Sequence, residues 1–93
     1  RTRSELLMAL HVLQAKYRYE ECLAVLRGDD ALLLLDSALY LNEPQLQAIP
    51  CPCLALQEEL AMAGISASQC IQAISYGQWV DLSAQQSQQV IWY

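Results

Sequence analysis

The 93-residue chain has few of the residues that bind phosphate groups. It contains three glycines, no glycine-rich phosphate loop and no nucleophile elbow. Only five residues are basic against ten that are acidic, and no lysine or arginine follows Arg27. Since nucleic-acid-binding proteins usually carry a basic patch, this balance argues against direct nucleic-acid binding. The net charge of −5 instead suits a basic protein partner.

Long apolar runs are also missing, so the sequence predicts no membrane span. The N-terminal segment RTRSELLMALHVL places basic before apolar residues, as a signal peptide does, but it lacks a clear cleavage site and His11 interrupts its apolar stretch. We interpret residues 1–7 as a remnant of an expression vector, Met8 as the natural start, and residues 8–93 as one domain. Without a secretion signal, we expect a cytoplasmic protein whose four cysteines are reduced.

Apolar residues are abundant by comparison. They make up 55% of the chain, whereas charged residues make up only 16%. Both values depart from the composition of an ordinary globular domain. Two explanations remain open: another subunit covers part of the apolar surface, or leucine and alanine fill a dense core.

Short apolar runs alternate with helical patterns along the chain. Apolar residues at offsets of three, four and seven predict a helix over residues 16–27, with Gly28 as its terminator. The leucine-rich run 31–36 is typical of a strand buried on both faces. The other predicted elements are strand 9–13, a short helix within 37–50, strand 51–56, helix 57–64, strand 70–75 and helix 76–89, while the tail 90–93 is either a final strand or a segment that docks on a partner.

This alternation predicts an α/β fold, with a single small, open, mostly parallel sheet flanked by helices. The crossovers between its strands are expected to be right-handed. Within the last helix, Trp79, Val80 and Leu82 are the predicted buried residues. Ligands of such folds gather at the carboxyl ends of the strands, which here correspond to residues 14–17, 36–40, 57–59 and 75–77.

Three of the four cysteines are interpreted as structural. Cys51 and Cys53 are separated by one residue, so they do not form a C-x-x-C redox motif, and on a strand they face the same side. Cys70 opens another apparent strand, and free cysteines are among the most buried residues. With His11 as the only histidine and no second close cysteine pair, the sequence lacks an ordinary structural zinc set, and we expect no metal or cofactor.

The remaining polar residues have simple interpretations. His11 lies inside the first predicted strand with no nucleophile indicated beside it, which favours a packed histidine over a catalytic base. Asp29 and Asp30 are typical turn residues. Glu58 and Glu59 begin a predicted helix, where carboxylates suit the positive end of the helix dipole. Neither acidic pair indicates acid–base chemistry.

Cys22 is the candidate for chemistry. Its helical spacing places it on or beside the apolar face, which favours packing. A sulfur-carrying cysteine must instead be reachable and partly ionised. Arg18, one turn earlier, would stabilise a thiolate, whereas the neighbouring Glu21 would oppose it. From the residues alone, packing and sulfur transfer both remain open for Cys22.

Several segments together resemble the DsrH/TusB family of sulfur-relay subunits. LHVLQ is similar to the family's first strand, LRGDDALLLLD to its turn and second strand, and LALQEELAMAGI to a strand, an acidic-leucine helix and a glycine turn. ISYGQWVDLS, followed by Trp92, resembles the C-terminal pattern, so that the resemblance covers nearly all of residues 8–93. There are departures: Ser37 and Ala38 stand where the family often has Asp-Gly, and Ala63 stands where it usually has arginine.

The resemblance implies a DsrE/DsrF/DsrH-like fold in a cytoplasmic heterohexamer with TusC/TusD-like or DsrE/DsrF-like subunits and a downstream sulfur-acceptor protein. The leading hypothesis is a TusB-like, mainly structural and non-catalytic subunit that serves tRNA wobble 2-thiouridine synthesis. Some DsrH-like members have a cysteine in the first helix, and Cys22 resembles that position. This implies the alternative of a persulfide carrier in oxidative sulfur metabolism. A third hypothesis is a homo-oligomeric interaction domain without a sulfur role.

Overall fold

The computed structural model describes residues 9–66, 69–85 and 88–93. Strands and helices alternate along these residues, as the sequence predicts. Short 3-10 turns precede α1 and follow β2, at Lys16–Arg18 and Asp36–Tyr40. The elements are β1 (Leu10–Leu13), α1 (Tyr19–Val25), β2 (Ala31–Leu34), α2 (Glu43–Gln47), β3 (Cys53–Leu56), α3 (Gln57–Ala63), β4 (Gln72–Ile74), α4 (Tyr76–Gln85) and β5 (Gln89–Trp92).

The described strands form one open sheet in the order β4-β3-β2-β1-β5. All four neighbouring pairs run parallel, which confirms the predicted α/β fold. The C-terminal tail is a strand rather than a loose segment, because β5 pairs with β1 and sets Trp92 opposite Leu13. The carboxyl ends of β1, β2 and β3 therefore lie along one edge, as a parallel arrangement requires.

The core has two parts, one on each face of the sheet. Successive strand residues point to opposite faces. Leu32 and Leu34 of β2 belong to one apolar cluster, together with Cys22 of α1 and Leu60 of α3. Ala31 and Leu33 belong to the other, which α4 covers with Trp79 and Leu82. All four residues of β2 are buried, as the uninterrupted leucine run predicts.

Local sequence signals set the ends of the short helices. Asn42 and Gln45 form a reciprocal capping box at the start of α2, with distances of 2.9 and 3.0 Å between the bonded atoms. Pro44 lies in the first turn, where its missing N–H costs little. Helix α3 ends at Gly64, whose φ of 72° is the left-handed conformation that glycine adopts without strain.

Three predictions about element boundaries and burial are corrected. No side chain of α4 is fully buried: Trp79 and Leu82 are partly buried against the sheet, whereas Val80 is 48% exposed. Cys70 lies in the turn before β4 rather than in the strand, and it is half-buried. Cys51 precedes β3, because Pro52 has no N–H for the ladder and joins it only through its carbonyl, which accepts from the Leu32 N–H at 3.0 Å.

The predicted helix 16–27 is shorter and divided, since a 3-10 turn precedes α1 and the helix ends at Val25, before Gly28. The predicted helix 76–89 also ends early, at Gln85. Residues 86–87 lie outside the described part of the chain, and Gln89 already belongs to β5. Among the described helices, none has the length and apolar character needed to cross a membrane.

Candidate functional site

Cys22 lies in the core beneath α1. The apolar face of that helix turns Tyr19 and Cys22 toward the sheet, and Cys22 is 1% exposed. Burial raises the pKa of the Cys22 thiol to about 12, and the nearby Cys51 thiol and Asp30 carboxylate add to this effect. At neutral pH the side chain is therefore a sheltered neutral thiol. It has neither the exposure nor the ionisation that sulfur transfer requires. A carrier role for Cys22 therefore stays a prediction, and it requires a conformational change that exposes the thiol.

Arg18 interacts with Glu21 and with the end of β5 rather than with the Cys22 thiol. Its Nε atom pairs with the Glu21 carboxylate on the same side of α1. Its guanidinium carbon lies 5.3 Å from the centre of the Trp92 ring, in cation–π contact, and its Nη1 atom donates to the Tyr93 carbonyl at 3.3 Å. Arg18 therefore holds α1 against the end of β5 and is not available to stabilise a thiolate at Cys22.

Cys51 and Cys53 are buried, as the sequence predicts. Burial and the neighbouring Cys53 thiol raise the pKa of Cys51 to about 12. Burial and the nearby Cys70 thiol raise the pKa of Cys53 to about 11. The Cys53 thiol donates weakly to the Cys51 carbonyl, at 3.9 Å between sulfur and oxygen. Both groups are neutral packing residues at physiological pH.

Cys70 is the more accessible thiol. Its Sγ atom lies 3.2 Å from Oε2 of Glu43, the first residue of α2, and this hydrogen bond, with burial, raises the pKa of the Cys70 thiol. Cys51, Cys53 and Cys70 line one cavity of about 320 Å³. Sequence reasoning placed Cys51 and Cys53 on one side but did not bring Cys70 to them. Among the described residues, no group of three histidine, cysteine or acidic side chains is arranged to hold a metal ion.

A buried polar network connects three distant parts of the chain. His11 of β1 is 5% exposed and Asp30, just before β2, is 3% exposed. The Trp92 Nε1–H donates to His11 Nδ1 at 3.2 Å, and His11 Nε2 lies 3.4 Å from Asp30 Oδ2. Asp30 also accepts from the Arg27 N–H at 2.9 Å, which confirms its turn role. His11 is a packed histidine, as predicted, with Nδ1 facing Trp92 and Nε2 facing Asp30.

Polar residues also meet at the carboxyl edge of the sheet, as the parallel topology predicts. Gln14, after β1, donates from Nε2 to Asp36 Oδ2 at 2.9 Å. Asp36, after β2, has a positive φ of 51°. Burial, and then the Asp36 carboxylate, raise the pKa of Glu59, with the Asp36 N–H opposing this effect. Sequence reasoning gave Glu59 only a helix-start role and did not detect its meeting with Asp36, because that contact depends on the spacing of β2 and α3.

Two comparisons bear on identity. A search of curated proteins finds no match. The family model described as DsrH like protein matches residues 14–89, which span β2, β3, β4 and every helix described above. A match over most of the 93 residues, on a chain with a five-stranded parallel sheet, confirms the resemblance read from the sequence. The chain therefore belongs to the DsrH-like family, a family of sulfur-relay subunits.

Proposed function

We propose that this chain is a TusB-like subunit of a cytoplasmic sulfur-relay complex that serves tRNA wobble 2-thiouridine synthesis. In this proposal it has no catalytic centre of its own. It completes a heteromeric assembly with TusC/TusD-like subunits, and a partner's cysteine carries the sulfur to a downstream acceptor protein. The proposal rests on membership of the DsrH-like family and on the state of the chain's own thiols.

The observation that carries the structural role is the burial of Cys22, Cys51 and Cys53. Sulfur transfer requires a thiolate to attack the outer sulfur of a donor persulfide; the S–S bond breaks, the donor leaves as a thiolate, and the attacking cysteine becomes the persulfide. A thiol with a pKa of about 12, as at Cys22, is almost entirely protonated at pH 7. The attack is therefore disfavoured at the position that family resemblance singles out.

The exposed surface supports a subunit that is covered in an assembly. Large apolar side chains are exposed on β5, at one edge of the sheet, and on several helices and 3-10 turns, and such surface is typical of protein interfaces. This favours the first explanation of the apolar excess. These residues are Tyr17, Val25, Tyr40, Met62, Tyr76, Val80, Val90, Ile91 and Tyr93.

The experiment measures tRNA 2-thiouridine in cells that lack the chain and are complemented with the parent, Cys22→Ser or Cys22→Ala. Two variants are used because one replacement in the core can fail to fold, and co-purification with the related subunits reports assembly for each. We expect thiolation to be retained wherever assembly is retained. Loss of thiolation with intact assembly would make Cys22 an obligatory carrier. No effect of deleting the chain on thiolation would exclude the tRNA role.

The other two hypotheses have separate outcomes. An oxidative-metabolism carrier predicts that Cys22 in the assembled complex gains one sulfur from a persulfide donor, seen by intact mass and absent from Cys22→Ser. Running Cys70→Ser in parallel shows whether any gain comes from the more accessible thiol. A homo-oligomeric domain without a sulfur role predicts that the chain fails to co-purify with the related subunits when they are present.

A further inference from the structure

A second cavity, distinct from the one lined by cysteines, lies at the carboxyl edge of the sheet. Its volume is about 360 Å³, within the usual range of roughly 300–1,000 Å³ for ligand pockets. Two carboxylates and four apolar or aromatic residues form its walls, and none of the six is basic. They are Asp36, Leu39, Tyr40, Glu59, Met62 and Ala63.

Glu59 is the unusual member of this cavity. Its Oε1 atom is shielded from solvent and has no hydrogen-bond partner among the described residues. The Asp36 N–H lowers the pKa of the Glu59 carboxyl but leaves Oε1 itself unpaired, and a carboxylate oxygen that has lost its water without gaining a donor is costly. The Asp36 carboxylate is close enough to raise the pKa of Glu59, so the two acids repel each other. A cationic hydrogen-bond donor would pair with the Glu59 Oε1 atom and reduce the repulsion between the two carboxylates.

The residues at the rim of the cavity indicate which kind of molecule supplies the cation. Tyr40 is 56% exposed and Met62 is 89% exposed, although both are large and apolar. Tyrosine, methionine and arginine are enriched at protein interfaces. A tyrosine ring can stack on a guanidinium, and a methionine can pack along an aliphatic stem.

We propose that this cavity receives an arginine side chain from a partner protein, whose guanidinium bonds to Glu59 while Tyr40 and Met62 enclose its stem. Arginine fits better than lysine, because its planar fork presents several donors and reaches a carboxylate with two of them. The net charge of −5 attracts such a basic partner. This assignment rests on the cavity alone and does not depend on the tRNA role.

Butylguanidine, a guanidinium on a four-carbon stem, tests the cavity on the isolated chain by amide NMR titration. We expect saturable shifts centred on Asp36, Tyr40, Glu59 and Met62. Glu59→Gln keeps the shape but removes the charge, and it should weaken butylguanidine binding about tenfold. Glu58→Gln makes the same charge change on the preceding residue, which is exposed and does not line the cavity, and should leave the affinity within about twofold.

Three outcomes would overturn the assignment. The first is the absence of saturable shifts at these residues, and the second is an equal loss of affinity in Glu58→Gln and Glu59→Gln. The third is equal binding of butylamine, which would show that any ammonium suffices. The amide spectrum of each variant reports its fold in the same experiment. Because no tRNA or relay partner is present, failure here leaves the proposed relay function standing, and loss of the relay function leaves this result unchanged.

Discussion

At the residue scale, the chemistry of this chain depends on how its thiols are held. Cys22 has the spacing of a packed helix residue and resembles the position of a cysteine in some DsrH-like members, and its burial favours packing in the isolated chain. A charged thiolate at this depth would lose its hydration without gaining a cation, because Arg18 is held by Glu21 and Trp92. Thus the same contacts that hold α1 against β5 occupy Arg18, the residue that the sequence offered as an activator of Cys22.

The raised pKa of Cys22 predicts a loss of stability at alkaline pH. The pKa is about 12 in the folded chain against an ordinary value of 9.0, so the unfolded chain releases this proton first as pH rises. The contribution of this thiol to the free energy of unfolding is therefore fully present below about pH 9. Above that pH the free energy of unfolding falls by roughly 1.4 kcal/mol per pH unit for each such thiol. Urea unfolding at pH 7.5, 9 and 10 measures this slope, and Cys22→Ala should make it shallower. An unchanged slope in that variant would mean that Cys22 already ionises in the folded chain.

The hydrogen bond from Trp92 to His11 gives a second prediction at this scale. Trp92→Phe keeps a ring over Arg18 but leaves the buried His11 Nδ1 without its donor, which should cost roughly 1–3 kcal/mol of unfolding free energy. Trp79→Phe is the matched control, because the Trp79 Nε1 atom has no hydrogen-bond partner among the described residues. Its cost should be clearly smaller in urea unfolding. Equal costs would assign the effect to ring packing rather than to the hydrogen bond.

At the element scale, short helices depend on their ends. Helix α3 has seven residues and brings Glu59 to the carboxyl edge, so its C-terminal glycine matters for the candidate arginine site as well as for stability. At Gly64 a Cβ atom would meet no atom of a described residue within 4 Å beyond its chain neighbours and its own helix backbone, so the positive φ is the obstacle to a side chain. At Gly77, in the first turn of α4, a Cβ atom would lie 3.9 Å from the Ser75 hydroxyl, an ordinary contact.

These two glycines predict opposite effects of the same substitution. Gly64→Ala should destabilise the chain by about 1 kcal/mol, because alanine is strained at positive φ. Gly77→Ala should be neutral or stabilise it by about 0.5–1 kcal/mol, because alanine loses less backbone entropy in a helix. Thermal unfolding of the two variants against the parent measures both signs. A stabilising Gly64→Ala would show that α3 does not end in the left-handed conformation in solution.

Most elements were predictable because their signals are local. The leucine run of β2, the apolar spacing around Cys22, and Gly64 at the end of α3 each act within a few residues. Val80 was wrongly expected to be buried, because three apolar residues near one another fit several helix faces and only packing against the sheet selects Trp79 and Leu82. Whether the C-terminal tail would pair or dock also depended on a distant element, namely β1.

At the scale of the whole molecule, the candidate sites consist of contacts between distant segments. Cys70 meets Cys51 and Cys53 only because β3 and β4 are neighbours, and Glu59 meets Asp36 only because α3 follows the strand next to β2. The residue types and the sheet edge were predictable, whereas these partners were not, because sequence spacing does not give distances across a sheet.

Thiol reactivity tests this arrangement across the whole molecule. With a maleimide at pH 7.5, Cys70 should react first, because it is half-buried near the surface, whereas Cys22, Cys51 and Cys53 are enclosed on the same side of the sheet. Those three should react only through large-scale opening, at similar rates that rise with urea in step with unfolding. Peptide mass spectrometry after timed labelling assigns each site, and Cys70→Ser isolates the buried set. If Cys22 reacted as fast as Cys70 without urea, this would show that α1 opens locally. The isolated chain could then expose Cys22 for sulfur transfer.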